Sequence, residues 1–394
     1  MDLIVKLKGM RIHHGLISTC VIAVGLITMP ALLCQQDDRE STRSRAMALE
    51  QSGQNAEAEQ AWSAITKTDP QNAEALAHLG LLEARQEHYE TAIGYYRKAS
   101  AVNPELPGLQ MNMGLALFKA AQFPDAIRSF TAELKKRPGD PRLTILLGMA
   151  HYGMKDYLVA IPYLQRAAEQ DPQSVALRIT LAQSCMRSKQ YQCALNVCKQ
   201  ILALKSDSAD AAMIAGEALD QMGDKAGAVR ALRASLEANS RQPDLHFGLG
   251  YLLWTENKWP EAANEFQLEI ENNPGHLKAR IYLSDSWVQQ GEFEKALPEL
   301  EKLVAANGSE PIVHRDLGII YAHSGRNEDA IREIRMAEQS DPEDLESRAR
   351  LARLYQLIGK REEVNAELEA ARRLPLRSHA SLEETIDSIE SPAP

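Results

Sequence analysis

Apolar positions recur along most of this chain with a period that does not slip. Windows of 34 residues counted from Arg39 start at 39, 73, 107, 141, 175, 209, 243, 277, 311 and 345 and need no insertion or deletion through residue 378. Apolar side chains at window positions 4, 7, 8 and 11 mark one face of a first helix, and those at 17, 20, 24 and 27–28 mark one face of a second. Position 8 is always small: Ala46, Gly80, Gly114, Gly148, Ala182, Gly216, Gly250, Ser284, Gly318 and Ala352. Position 20 is Ala from Ala58 to Ala330, with Val364 the one departure, and position 24 is always apolar or aromatic, from Trp62, Tyr96 and Phe130 to Leu368. A small residue on each facing surface predicts two helices that approach closely.

The punctuation has the same period. Gly53, Gly223, Gly291, Gly325 and Gly359 fall at position 15, where the first helix should end and the chain should turn. Pro70, Pro104, Pro138, Pro172, Pro274 and Pro342 fall at position 32. Proline lacks the N–H and its ring clashes with the preceding turn, so the second helix stops there. Each window is therefore a helical hairpin with one face still apolar, which only a neighbouring hairpin can cover.

This pattern resembles the tetratricopeptide repeat family, over about 340 of the 394 residues. The ninth window matches best, with Leu317, Gly318, Tyr321, Gly325, Ala330, Ala337 and Pro342; the first is weakest, with Arg45 where Leu is usual. The resemblance implies an all-α fold, an α-solenoid of about ten helix-turn-helix repeats over 39–376. It further implies a right-handed superhelix whose concave side is lined by first helices. Beyond the repeats, Ser381 with Glu384 fits a capping box, and Leu382, Ile386 and Ile389 share a face. Residues 377–394 are expected to form a short capping helix and a tail.

The chain opens differently. Residues 1–14 form a basic leader with Lys6, Lys8 and Arg11, and residues 15–34 are an apolar segment whose stretch 15–33 carries no charge. As a helix that stretch would span roughly 28 Å, close to a bilayer's hydrocarbon core. Asp37 and Asp38 follow it, so the positive flank predicts that the rest of the chain lies outside the cytoplasm. An uncleaved anchor, a cleaved signal peptide and a lipoprotein site at Cys34 all remain open, and each exports the repeats. The expected location is the cell membrane as a single-pass protein, or the periplasm or exterior after cleavage.

The net charge of −10 argues against nucleic acid as the main partner, since phosphate binding needs a basic face. Of the five cysteines, Cys185, Cys193 and Cys198 match no zinc spacing. They read as small core residues, or as a disulfide if the compartment is oxidising. The "HRDL" at 314–317 looks like a kinase loop, but Tyr321 stands where Asn is needed, and Leu317 and Gly318 fall on repeat positions 7 and 8. The pair His13 and His14 sits in the leader, and Glu362 with Glu363 falls on exposed helix surface. The "NGS" at 307–309 reads as a turn. With no catalytic signature and no room for a further domain, neither an enzyme nor a cofactor is expected.

The family's ligands are usually held at positions 2, 5, 9, 12 and 13 of the first helices, so the resemblance implies a groove that can be read off this sequence. Met111, Leu115, Phe118, Ile145, Met149 and Tyr152 form an apolar strip there, and Phe247, Tyr251 and Trp254 form an aromatic cluster at i, i+4 and i+7, with Asp285 and Arg315 further on. An apolar strip outside the packing face suggests a partner surface, the alternative being that these side chains cover one another or adjacent helices inside the superhelix. The carboxylate-holding set of some family members is not reproduced: Asn112 and Arg142 are present, but Ala77 and Leu81 precede them. The expectation is a non-catalytic scaffold, tethered through 15–34, that binds a peptide or helical segment of another protein. The alternative is a structural or assembly subunit acting through the convex face or by self-association.

Overall fold

The computed structural model describes residues 29–307 and 310–373. The basic leader, most of the apolar segment, the "NGS" turn beyond Asn307 and the expected capping helix lie outside the described residues. No helix among the described residues is long and apolar enough to cross a membrane.

Among the described residues there are twenty helices and no strand, in two compact units that divide between Lys205 and Ser206. The first unit holds α1 (Met29–Gln51), α2 (Asn55–Thr68), α3 (Ala73–Arg85), α4 (Tyr89–Val102), α5 (Leu109–Lys119), α6 (Phe123–Lys136), α7 (Pro141–Gly153), α8 (Tyr157–Gln170), α9 (Val175–Arg187) and α10 (Tyr191–Leu204). The second holds α11 (Ala209–Gln221), α12 (Lys225–Ala238), α13 (Leu245–Thr255), α14 (Trp259–Asn272), α15 (Leu277–Gln289), α16 (Phe293–Asn307), α17 (Pro311–His323), α18 (Asn327–Ser340), α19 (Leu345–Leu357) and α20 (Arg361–Arg372). Odd-numbered helices are the first helices of the hairpins. Within each unit, each second helix also packs on the first helix that follows. α1 starts before Arg39, so its helix runs back from the first window into the last residues of the apolar segment.

The close approach inside a hairpin is between a small residue and a large one, where the sequence suggested small against small. A Cβ added to Gly80 would lie 2.8 Å from the Tyr96 ring, one on Gly114 2.5 Å from Phe130, and one on Gly250 2.7 Å from Phe266. These are positions 8 and 24 of one window. The position-20 alanines are fully buried beside them. Glycine is needed here because nothing larger leaves room for the ring.

Position 15 turns the chain with positive φ in all ten windows, between +57° at Ala121 and +83° at Gly223. The sequence marks this turn only where it carries glycine. Glu87, Ala121, Lys155, Lys189 and Asn257 make the same turn without it, each at a cost of about 1–2 kcal/mol. Two first helices start late: α5 and α13 have 11 residues, because Gly108 (φ +76°) and Asp244 (φ +67°) precede them in the left-handed region. The side chain of Glu269 accepts from the backbone N–H groups of Asp244 (3.0 Å) and Phe247 (3.2 Å) and so caps the shortened α13.

A disulfide joins Cys185 on α9 to Cys193 on α10, with Cα atoms 5.8 Å apart. This hairpin carries the slightest 8/24 pair, Ala182 with Cys198, and the covalent link crosses it. Cys198 is free and buried, and burial pushes its thiol up to about 12. The reading of all three cysteines as plain core residues thus holds for Cys198 alone.

Gly114→Ala should lower the urea midpoint by an amount equivalent to about 1–3 kcal/mol, because the methyl has no space against Phe130. Ala121→Gly, in the same hairpin, should raise stability by about 1 kcal/mol by relieving the left-handed backbone. A neutral Gly114→Ala would contradict the 8/24 packing.

Candidate functional site

In the first unit the apolar strip is largely consumed by packing. Met111, Phe118 and Met149 are buried, and Leu115, Ile145 and Tyr152 are half-buried. Phe118 meets Phe123 edge-on at 5.6 Å, and Tyr152 meets Tyr157 at 5.4 Å. The Tyr152 hydroxyl donates to Gln183 Oε1 at 2.9 Å, which ties position 12 of one window to position 9 of the next. Nearer the start of this unit, the buried Glu50 accepts from Trp62 Nε1 and meets His78 and Arg85. Burial alone would raise its carboxyl, but His78 and Arg85 hold it below the usual range.

In the second unit the aromatic cluster keeps one open ring. Phe247 is half-buried among Phe266, His276 and Tyr282. Trp254 is half-buried as well, and its Nε1–H donates to Asp285 Oδ2. Tyr251 is 40% exposed. It lies near-parallel to Trp254 at 5.9 Å, and Tyr282 stands edge-on to both at 5.4 and 5.0 Å. Burial pushes the Tyr282 phenol up, assisted by Tyr251, Asp285 and Glu310 and opposed by Arg315.

Asp285 and Arg315 face each other and not solvent. Arg315 donates to Asp285 Oδ1 at 2.9 Å and lies 3.4 Å from Glu346 and 3.7 Å from Asp316. Asp285 and Asp316 are both fully buried. Neither Asp316 oxygen has a hydrogen-bond donor. Burial, with the nearby charge of Asp285, raises the Asp316 carboxyl well above its ordinary 3.8 against the opposing pull of Arg315; Arg315 is held firmly as the cation. One guanidinium thus lies among two buried acidic side chains, Asp285 and Asp316, and the more open Glu346. This network runs up successive first helices as Trp254, Asp285, Arg315 and Glu346, at positions 12, 9, 5 and 2.

A second set of pairs went unread in the sequence. His246 with Glu265 (2.6 Å), Arg280 with Glu299, His314 with Glu333 (2.8 Å) and Arg348 with Glu367 (3.2 Å) all join position 4 to position 23 of one hairpin. The recurrence of a basic residue at 4 with Glu at 23 through the last four windows was the available signal. Asp244, Glu269 and His276 offer ligand atoms within 4.8 Å of one another. They make a poor metal centre: Glu269 already accepts two backbone N–H groups. His276 Nδ1 accepts from Ala279 at 3.0 Å, so its proton sits on the nitrogen facing Asp244.

The geometry makes two changes diagnostic. Arg315→Leu leaves Asp285 buried and unpaired, and should cost the second unit about 3–5 kcal/mol. Asp316 holds its proton to higher pH in the fold than in the unfolded chain. Its contribution is full below the unfolded value and is lost as pH rises from there toward the folded one. Asp316→Asn should therefore raise the thermal midpoint at pH 7 and remove that decline. A lower midpoint at pH 7 would mean Asp316 is an ionised partner of Arg315.

The chain as a whole is similar to known repeat proteins. A family profile described as tetratricopeptide repeat matches residues 43–105, 111–175, 215–276 and 283–344, more than half of the chain, and a second of the same description matches 151–217. The chain is 23% identical over 238 residues to the BBSome complex member BBS4 of Bos taurus, covering 60% of this chain and 44% of that protein. It is 25% identical over 154 residues to anaphase-promoting complex subunit 3 of Schizosaccharomyces pombe, covering 39% and 23%. The chain spans less than half the length of these curated relatives. Among solved structures, a tetratricopeptide repeat protein from Parabacteroides merdae aligns at TM-score 0.46 and 17% identity, over 61% of this chain and 96% of that one.

Proposed function

The chain belongs to the tetratricopeptide repeat family, and from that premise we propose that it is a non-catalytic adaptor of the cell envelope that holds a segment of a partner polypeptide on the first-helix face of its second unit. The repeats themselves make it a protein-interaction scaffold. The observation that carries the finer reading is Tyr251: an open ring held rigidly by Trp254 and Tyr282 on positions where the family holds its ligands. Rigid, partly exposed aromatics are favoured anchors at interfaces because they lose little conformational entropy on binding. The names of both relatives describe members of multi-protein complexes, which accords with a scaffold.

The export part of the proposal rests on the basic leader before the apolar segment and on the Cys185–Cys193 bond. Structural disulfides persist in oxidising compartments and are rare in a reducing cytosol.

Tyr251→Ala in the full chain should release the partner retained in affinity capture, while Met336→Ala, an exposed change on the second helix α18, should retain it. The reverse result would move the site off the first helices. Trp254 is a poor probe, because its removal also takes a hydrogen-bond donor from the buried Asp285. A phosphatase that is active only outside the cytoplasm, fused after residue 373, should be active; an inactive fusion refutes the export.

A further inference from the structure

We infer that the segment received by the second unit presents a cationic side chain, arginine or lysine, to the Tyr251 ring and the carboxylates of α11 beside it. This rests on the reading of the first-helix face as the binding face and adds the chemistry of what binds there.

The first observation is the register between neighbouring first helices. Position 12 of one window meets position 9 of the next, 31 residues on, as Tyr152 meets Gln183 and Trp254 meets Asp285. The same step from Asp220 leads to Tyr251. Asp220 is half-buried and Glu217, one turn before it, is exposed. They occupy on α11 the positions that Trp254 and Tyr251 occupy on α13.

The second observation is the charge left over. No cation lies within ion-pair distance of Glu217 or Asp220 among the described residues. Arg280 is engaged by Glu299 and Arg315 by Asp285 and Glu346, so the exposed Lys or Arg that α11, α13, α15 and α17 keep outside ion pairs is Lys278. Glu310 is exposed as well, and its charge reaches the Tyr282 phenol.

These features select among occupants. The face of an aromatic ring attracts a cation, and more so where water is partly excluded. A purely apolar segment laid over Tyr251 would strip water from Asp220 and give it no partner. An acidic segment would be repelled by Glu217, Asp220 and Glu310 together. A guanidinium or ammonium on an extended or helical segment satisfies both ring and carboxylate.

Phage-displayed random dodecapeptides selected on the full-length chain test this directly, with one selected peptide then followed by fluorescence polarisation. Arginine or lysine should be enriched in the pool. Glu217→Gln with Asp220→Asn should weaken the selected peptide about tenfold or more, and Tyr251→Leu likewise. Circular dichroism melts should stay close to wild type, since Glu217 and Tyr251 are exposed and Asp220 is half-buried with no ion-pair partner among the described residues. A pool of apolar or acidic sequences that Tyr251→Leu still releases would overturn the cationic partner and leave the binding face standing. A pool indifferent to Tyr251→Leu would overturn both.

Discussion

A glycine backbone lying against a large side chain, Phe130, Leu164 or Phe266, sets the spacing of the hairpins that carry the apolar strip and the aromatic cluster. At Gly80, Gly114 and Gly250 the partner ring sits closer than any Cβ would allow. The two helices of a hairpin are thereby drawn together, and the remaining apolar faces are presented to the next hairpin in each unit. Because each unit is a stack of such contacts, its first helices are held side by side at a fixed register. That register places position 12 of one window against position 9 of the next, and so determines which side chains meet on the first-helix face. In the window of Ala182 and Cys198, where the packing pair is slightest, a covalent bond between Cys185 and Cys193 links the helices.

The architecture was legible because it depends on local periodicity. Small residues at position 8 and large ones at position 24 need no tertiary information to be recognised. The left-handed turn at position 15 was legible only at its glycines; Ala121 and Lys155 make it because the hairpin geometry requires it and outweighs their preference. The late starts of α5 and α13 depend on single left-handed residues, which pattern reading does not resolve.

The candidate site was less legible, for a physical reason. A window position tells which face a side chain shares, but not whether the neighbouring repeat has already engaged it. Asp285 and Arg315 were read as groove residues and are each other's partners, with Asp285 fully buried. Met111, Phe118 and Met149 share the expected face, yet adjacent helices cover them. Tyr251 differs because its own neighbours are rings that brace it without covering it. The acids that flank it on α11 carried no signal in their own window. They acquire one only when the inter-repeat register puts Asp220 beside that ring.

The central claim is that the first-helix face of the second unit, and not the second helices, meets the partner. A photo-crosslinking amino acid placed in turn at Glu217, Tyr251 and Met336, with adducts mapped by mass spectrometry in intact cells, tests it most directly. The account predicts polypeptide adducts from positions 217 and 251 and none from 336. Adducts concentrated at 336, with 217 and 251 silent, would contradict it.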